Sequence, residues 1–252
     1  MYKKKEFKKA LQDYTNFLKL KKIYKKKDEL KYEFTIEKLK NWKNSSFNEN
    51  LKWYLYQKRQ CKAQISYKSL ENLDKWTFNK SKGIIHHKTG GFFSIVGIST
   101  KNALREVKNW DQPFIKQKDY VGGIIGLVRK KINDIPHYLI EAKFEPGNYN
   151  LIQLSPSVQA TYSNLNQVHK GYRNKVINAY FKKNFKSIRK TWVSEDGGRL
   201  FKKRNMHWII ETNKSKINLP KNYKWLTIWE INEFINKGVY VGPHLRAILS
   251  LI

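Results

Sequence analysis

The 252-residue sequence predicts an α+β chain with a mostly antiparallel or mixed sheet and helices at both ends. Three observations carry this. Apolar residues recur at helical spacing near the start (Phe7, Leu11, Tyr14, Leu18). The middle of the chain switches to short alternating runs bounded by turn residues, and helical spacing returns toward the C-terminus.

Residues 1–47 alternate Lys/Glu clusters with Phe, Leu, Tyr and Ile, predicting a basic helical extension of one or two amphipathic helices. A further helix is expected from Asn48 to Arg59, where Trp53 and Tyr56 stand three apart. Ala63–Tyr67 then alternates like a short strand. Gly83–His87 and Phe92–Ile98 flank a turn at Lys88–Gly91 and predict a β-hairpin, with Gly90-Gly91 supplying positive φ. Val121–Lys131 and His137–Phe144 form a second apolar pair joined through Asn133-Asp134, and a third strand region runs from Asn205 to Glu211. Helices are expected at Lys175–Lys183, Ile228–Asn236 and His244–Leu251. No segment repeats another, so the simplest partition is one domain, 48–252, behind the extension.

Composition limits the function classes. A chain with 40% hydrophobic and 14% aromatic residues is too apolar for disorder, and eight Trp argue for a packed interior or an aromatic-lined pocket. The net charge of +31 calls for an anionic partner. The excess is mostly Lys and travels with Asn and Ile, as in AT-rich genomes, and it is densest at Lys3, Lys4, Lys5, Lys8 and Lys9. Such runs are the pattern of a solvated helix face, and the partner can be as small as a pyrophosphate. Cys61 is the single cysteine, which excludes an internal disulfide and a Cys-based zinc site. The N-terminus has no apolar signal core, and the longest apolar stretches are too short to span a bilayer. The expectation is a cytoplasmic protein without a membrane partner.

Two blocks concentrate chemistry. From Glu141 to Gly171 the chain is rich in Asn, Gln, Ser and Thr and poor in Lys. Gln153, Ser155, Gln159, Thr161, Ser163 and Asn164 are short neutral donors and acceptors, suited to sugar hydroxyls, a carbonyl or a base edge. The same residues also suit turns with Asx and Ser caps. The second block runs from Ser194 to Asn205, where two glycines are followed by four cations within six residues. Arg199 and Arg204 there can clamp a pyrophosphate, or the block is a solvated hairpin turn. It is neither a Walker loop nor a Rossmann fingerprint. The six histidines fall in no HExxH or HxH pattern with a carboxylate partner, so no metal is expected. His137 and His207 read as structural, whereas His169 lies inside the polar block. No GxSxG elbow and no Nudix box occur, which argues against hydrolysis.

Read together, these blocks resemble the NDP-hexose 2,3-dehydratase family. The similarity opens with Trp76-Thr77-Phe78, Gly83-Ile84-Ile85-His86-His87 and Gly91-Phe92-Phe93-Ser94-Ile95-Val96-Gly97. Trp110, Gln112-Pro113, Gln117 and Gly122–Gly126 continue it. Its most specific core is Ala142–Asn148, Gln153-Leu154-Ser155-Pro156, Gln159-Ala160-Thr161, Ser163-Asn164 and His169-Lys170-Gly171. Ser194-Glu195, Gly198-Arg199, Lys203-Arg204-Asn205 and Arg246 complete it. The resemblance implies a Nudix-like α+β fold without Nudix chemistry. It implies a nucleotide-linked 4-keto-6-deoxyhexose substrate, usually on dTDP, that loses its C2 hydroxyl as water without a cofactor. It further implies that Arg199, Lys203 and Arg204 neutralise the diphosphate, while Asn148, Gln153, Ser155, Gln159 and Thr161, with Ser163 and Asn164, hold the hexose. Glu145, Glu195 and His169 are its candidates for base and acid. Typical members fuse two repeats and this sequence carries one, so a homodimer is expected, with a separately encoded partner or a non-catalytic binding half as alternatives. Nucleic-acid binding ranks last, because it leaves the polar block unexplained.

Overall fold

The computed structural model describes residues 2–39, 42, 45–117, 122–161, 175–181, 186–194, 200–213 and 218–252. Ser46 and Thr227 each begin a helix in the same way. The hydroxyl of each accepts the backbone N–H of a Glu three residues on (Glu49, Glu230), and that carboxylate accepts the cap's own N–H. The helices so started are α3 (Phe47–Gln60) and α4 (Ile228–Asn236), preceded by α1 (Tyr2–Leu20) and α2 (Glu29–Leu39) and followed by α5 (Pro243–Leu249).

Between α3 and α4 lie two sheets. Strands β1 (Trp76–Asn79), β2 (Ile84–His87), β3 (Phe93–Thr100) and β4 (Trp110–Gln117) form a small antiparallel meander. The large sheet holds β5 (Ile124–Ile132), β6 (Ile135–Phe144), β7 (Ile152–Ser155), β8 (Val158–Ala160), β9 (Lys186–Ser194), β10 (Arg204–Glu211) and β11 (Tyr223–Leu226). Its order is β11-β6-β5-β10-β9, and it is mixed because β10 runs parallel to β5. The β5–β6 turn places Asn133 at φ 51° and Asp134 at φ 63°, a two-residue pair in the left-handed region that suits strand twist.

The large sheet forks. β5 pairs with β6 only from Arg129 to Ile132, after which β6 pairs with β7 while β5 pairs with β8. The β7–β8 corner therefore sits in the crotch of the fork, and Ser157, fully buried, bridges it. Its hydroxyl accepts the Val128 N–H at 2.9 Å and donates to the Leu139 carbonyl at 2.5 Å.

Both faces of this sheet are covered. Ile125, Leu127, Ile140, Leu154 and Ile209 pack with Tyr54 of α3, Ile231 and Phe234 of α4, and Leu245 and Ile248 of α5. On the opposite face Val128, Leu139, Val158 and Ile210 pack with Val176 and Tyr180 of a helical segment that ends in a π-helical turn, Ile177–Phe181. The basic extension is fastened to the same sheet. Arg129 of β5, with no exposed side-chain surface, binds Glu33 at 2.5 Å and Glu37 at 2.6 Å on α2, and Glu211 on β10. Phe7, Ile36, Trp42 and Ile135 close the seam beside it.

The α+β expectation with antiparallel and mixed pairing agrees with this architecture, and three local expectations change. Ala63–Tyr67 is irregular and exposed rather than a strand, since its alternating side chains meet no sheet face. In the β2–β3 turn Gly90 alone takes positive φ (64°); Gly91 does not. Strands β1, β4, β7, β8, β9 and β11 go beyond the predicted set. β4 is an edge strand that tolerates Pro113, and β9 is a Lys-rich edge with much of its length in solvent.

Candidate functional site

Because β10 is parallel to β5 while β6 and β8 oppose it, the starts of β5 and β10 and the ends of β6 and β8 meet at one end of the large sheet. This brings together Glu145 after β6, Thr161 after β8, Gly122-Gly123 before β5, and Lys203 and Arg204 at β10. The glycines make the convergence possible. A methyl group on Gly123 would overlap the Ala160 carbonyl, and one on Gly122 would overlap the Arg204 carbonyl. Asn205 Oδ1 accepts the Gly123 N–H at 2.6 Å, and the Gly123 carbonyl accepts from Met206 at 2.9 Å.

Glu145 is held from two sides. Lys143 Nζ lies 2.5 Å from its Oε1, and Gln159 Nε2 donates to the same oxygen at 3.3 Å. Its side chain keeps 39% exposure, so the carboxylate is positioned yet open to a ligand. The register places Lys143 opposite Gln153 and Glu141 opposite Ser155, so these four side chains share one face of the β6–β7 pair. Gln153 and Ser155 are buried. Gln153 Nε2 donates to the Val239 carbonyl at 2.7 Å, and both side chains approach Gly242, whose N–H bonds to Leu154. Asn148 braces the turn after β6, its amide donating to the carbonyls of Lys143 and Leu151, both at 3.3 Å.

The cations are anchored as well. Lys203 Nζ donates to Gln117 Oε1 at the end of β4, and the exposed Arg204 lies 4.8 Å above the half-exposed Trp192 ring. Thus Glu145, Gln159, Thr161, Lys203 and Arg204 gather at one sheet end, while Gln153 and Ser155 sit deeper and Asn148 serves the turn. Glu195, His169, Ser163, Asn164 and Arg199 lie outside the described residues.

Sequence reading missed Glu141. Its Oε1 accepts from Asn222 Nδ2 at 3.2 Å, and its Oε2 is shielded from solvent. Burial pushes its carboxyl above the usual range, against the opposing pull of Lys143. The alternation Glu141-x-Lys143-x-Glu145 on one strand face is the signal that marks it. His137 is fully buried, with its Nδ1 2.7 Å from the Ile135 carbonyl, and burial lowers its pKa. His207 is likewise buried, on the β5-paired strand β10. Among the described residues no group of three His, Cys, Asp or Glu could hold a metal, and no helix is long and apolar enough to cross a membrane.

A partly exposed carboxylate, neutral amides and anchored cations at one sheet end can remove a proton beside a carbonyl while neutralising an anionic leaving or carrier group. Comparison with known proteins gives this arrangement a family. The family model described as NDP-hexose 2,3-dehydratase matches residues 47–252. A dTDP-4-dehydro-6-deoxy-alpha-D-glucopyranose 2,3-dehydratase of Saccharopolyspora spinosa is 32% identical over 183 residues, covering 72% of this chain and 37% of that protein. One of the same name from Amycolatopsis orientalis is 33% identical over 187 residues, covering 72% and 39%. One from Streptomyces violaceoruber is 28% identical over 204 residues, covering 79% and 44%. The chain thus spans about two fifths of the length of the curated relatives it matches. With most of its length matched by the family model, the chain belongs to the NDP-hexose 2,3-dehydratase family.

Proposed function

We propose that the chain carries out the 2,3-dehydration of a dTDP-linked 4-keto-6-deoxyhexose. Support comes from the family match and from the Lys143–Glu145–Gln159 cluster, at the sheet end to which the strand register also brings Lys203 and Arg204. A C4 ketone acidifies the C3 hydrogen. A base takes that proton, and the electron pair forms the C3–C4 enolate. The enolate re-forms the C4 carbonyl and expels the C2 hydroxyl, which leaves as water once protonated. The resulting C2–C3 enol tautomerises to the 3,4-diketo-2,6-dideoxy sugar.

Glu145 is the proposed base, and the cluster around it is the observation that carries the assignment. Glu195 and His169 are the further candidates for acid or base. Arg199, Lys203 and Arg204 are assigned to the diphosphate. Gln159 and Thr161, with Gln153, Ser155, Asn148, Ser163 and Asn164, are assigned to the hexose or to shaping its pocket. The mixed seven-stranded sheet with helices on its faces supports a Nudix-like reading of the fold. Residues 48–252 are taken as one repeat, with 1–47 as a basic extension fastened to it through Arg129. The assembly proposed for turnover is a cytoplasmic homodimer, which sedimentation at twice the chain's mass would support and a monomer at working concentration would refute.

Glu145→Gln tests the base. The substitution keeps the shape and the contact with Gln159 but removes the charge. Turnover should fall at least about a hundredfold, the scale of general-base catalysis, while dTDP binding persists. Turnover within a few fold of the parent removes Glu145 from this role.

A further inference from the structure

The family match begins at residue 47 and leaves the basic extension without a role. One surface of the extension stands apart, the apex where α1 turns back toward α2. α1 closes with Lys22 in the left-handed region (φ 58°), and the N–H groups of Lys22 and Ile23 bond to the carbonyls of Lys19 and Leu18 at 2.9 and 3.0 Å. That pair of bonds is the Schellman closure, which usually sets an apolar contact beside the turn. Here Leu18 is buried, but Ile23 keeps 57% of its surface in solvent. Phe17 and Leu20, three apart on one face of the last turn of α1, keep 50% and 79%.

Positive charge surrounds these three residues. Lys19, Lys21, Lys22, Lys25, Lys26 and Lys27 fill six of nine consecutive positions, all of them exposed, and no acid stands between Asp13 and Asp28. The acids at the foot of the turn are engaged locally: Asp28 binds Lys31 at 2.7 Å, and Glu29 accepts from the Tyr24 hydroxyl. Lys19 and Lys21 lean over the rings of Tyr24 and Phe17, 5.0 and 5.9 Å from their centroids. A lysine-rich composition accounts for the cations but not for three large apolar side chains exposed among them. The apex also lies away from the candidate site. Lys19, Lys26 and Lys27 share a groove with Lys131 late in β5, Glu211 closing β10 and Lys186 opening β9. The candidate site is at the starts of β5 and β10, about 25 Å away along β10.

We propose that this apex docks on the surface of an anionic lipid bilayer, with Phe17, Leu20 and Ile23 entering the boundary between headgroups and acyl chains and the lysines meeting lipid phosphates. Exposed cations around exposed apolar residues fit a surface that is both negative and able to take up hydrocarbon. A nucleic acid meets the first requirement only. The expectation of no membrane partner is thereby revised for surface contact, which asks for no spanning helix. The proposal stands independently of the dehydratase reading.

The test floats the full chain with vesicles on a density gradient, using phosphatidylcholine alone and an equimolar mixture with phosphatidylglycerol, and measures binding to duplex DNA alongside. The parent is compared with Leu20→Ser/Ile23→Ser and with Lys21→Gln/Lys22→Asn/Lys25→Gln, in which Asn suits the left-handed position. All five side chains are exposed, and melting without vesicles verifies each fold. The parent should float with the mixed vesicles and not with phosphatidylcholine alone. The lysine variant should lose about a hundredfold in affinity for the mixed vesicles, and the apolar variant about tenfold. Equal flotation with phosphatidylcholine alone overturns the proposal, as does affinity for the mixed vesicles that is unchanged in either variant. A parent that stays behind while the mixed vesicles float also overturns it, and binding to duplex DNA in that case would reassign the lysines to a nucleic acid.

Discussion

The Ser157 hydroxyl donates to the Leu139 carbonyl at 2.5 Å from a fully buried position, at the point where β5 and β6 part. The same oxygen accepts the Val128 N–H, so one side chain satisfies a backbone group on each prong of the fork. Ser157→Ala leaves a buried donor and a buried acceptor without partners. The expected loss is about 2–6 kcal/mol from urea unfolding, at roughly 1–3 kcal/mol for each of the two orphaned groups. A loss below about 0.5 kcal/mol would mean that the fork closes without the hydroxyl.

Arg129 fastens the N-terminal helices. Its guanidinium meets Glu33 and Glu37, and the Tyr138 hydroxyl also donates to Glu37 at 2.7 Å. Burial works to raise both carboxyls; Arg129 and Lys131 outweigh it at Glu33, which ends below its usual value, whereas burial prevails at Glu37. Arg129→Met removes the cation and leaves both carboxyl groups in place, at a cost of about 3–5 kcal/mol. Urea unfolding and limited trypsin digestion should report lower stability and faster cutting within α1 and α2. Unchanged digestion would show that the apolar seam of Phe7, Ile36, Trp42 and Ile135 suffices to hold them.

Gly123 lets β5 approach the Ala160–Thr161 backbone closely, next to Gln159, which meets Glu145. Gly123→Ala drives a methyl group into the Ala160 backbone, which cannot swing aside as a flexible side chain would. The expected result is a destabilisation of about 1–3 kcal/mol together with loss of dTDP-sugar binding. Native binding in this variant would show that the close approach is dispensable.

His137 makes stability depend on pH. Burial holds its folded pKa below the ordinary value of about 6.5, against a smaller opposing effect of the Ile135 carbonyl. Between the two values the unfolded chain binds more protons than the folded one. The contribution of this residue is therefore complete above about pH 6.5 and is lost as pH falls through the folded value. His137→Asn should lose less stability than the parent between about pH 7 and 5, as read by urea unfolding at each pH. Parallel curves would remove His137 from the acid sensitivity.

Local chemistry was legible in the sequence where it acts over a few residues. Asn133-Asp134 announced the tight β5–β6 turn, and Gly90 announced the β2–β3 turn. What depended on distant partners was hidden. Nothing near Arg129 in sequence, beside Lys130 and Lys131, marks its partners; α2 brings Glu33 and Glu37 to it from more than ninety positions away. Gln153 and Ser155 looked like loop donors, but β7 is buried on both sides because residues 239–242 supply its second edge. At the candidate site the polar types and their positions were readable, and the contact of Gln159 with Glu145 follows them. The role of Asn148 inside a turn, and the raised carboxyl pKa of Glu141, required the fold.

The central claim is the dehydration itself. The direct measurement incubates the purified chain with dTDP-4-keto-6-deoxyglucose and follows the sugar nucleotide by mass spectrometry. The account predicts a product lighter by one water, absent without protein and absent with Glu145→Gln. An unchanged substrate mass, at concentrations where dTDP protects the chain from thermal unfolding, would contradict it.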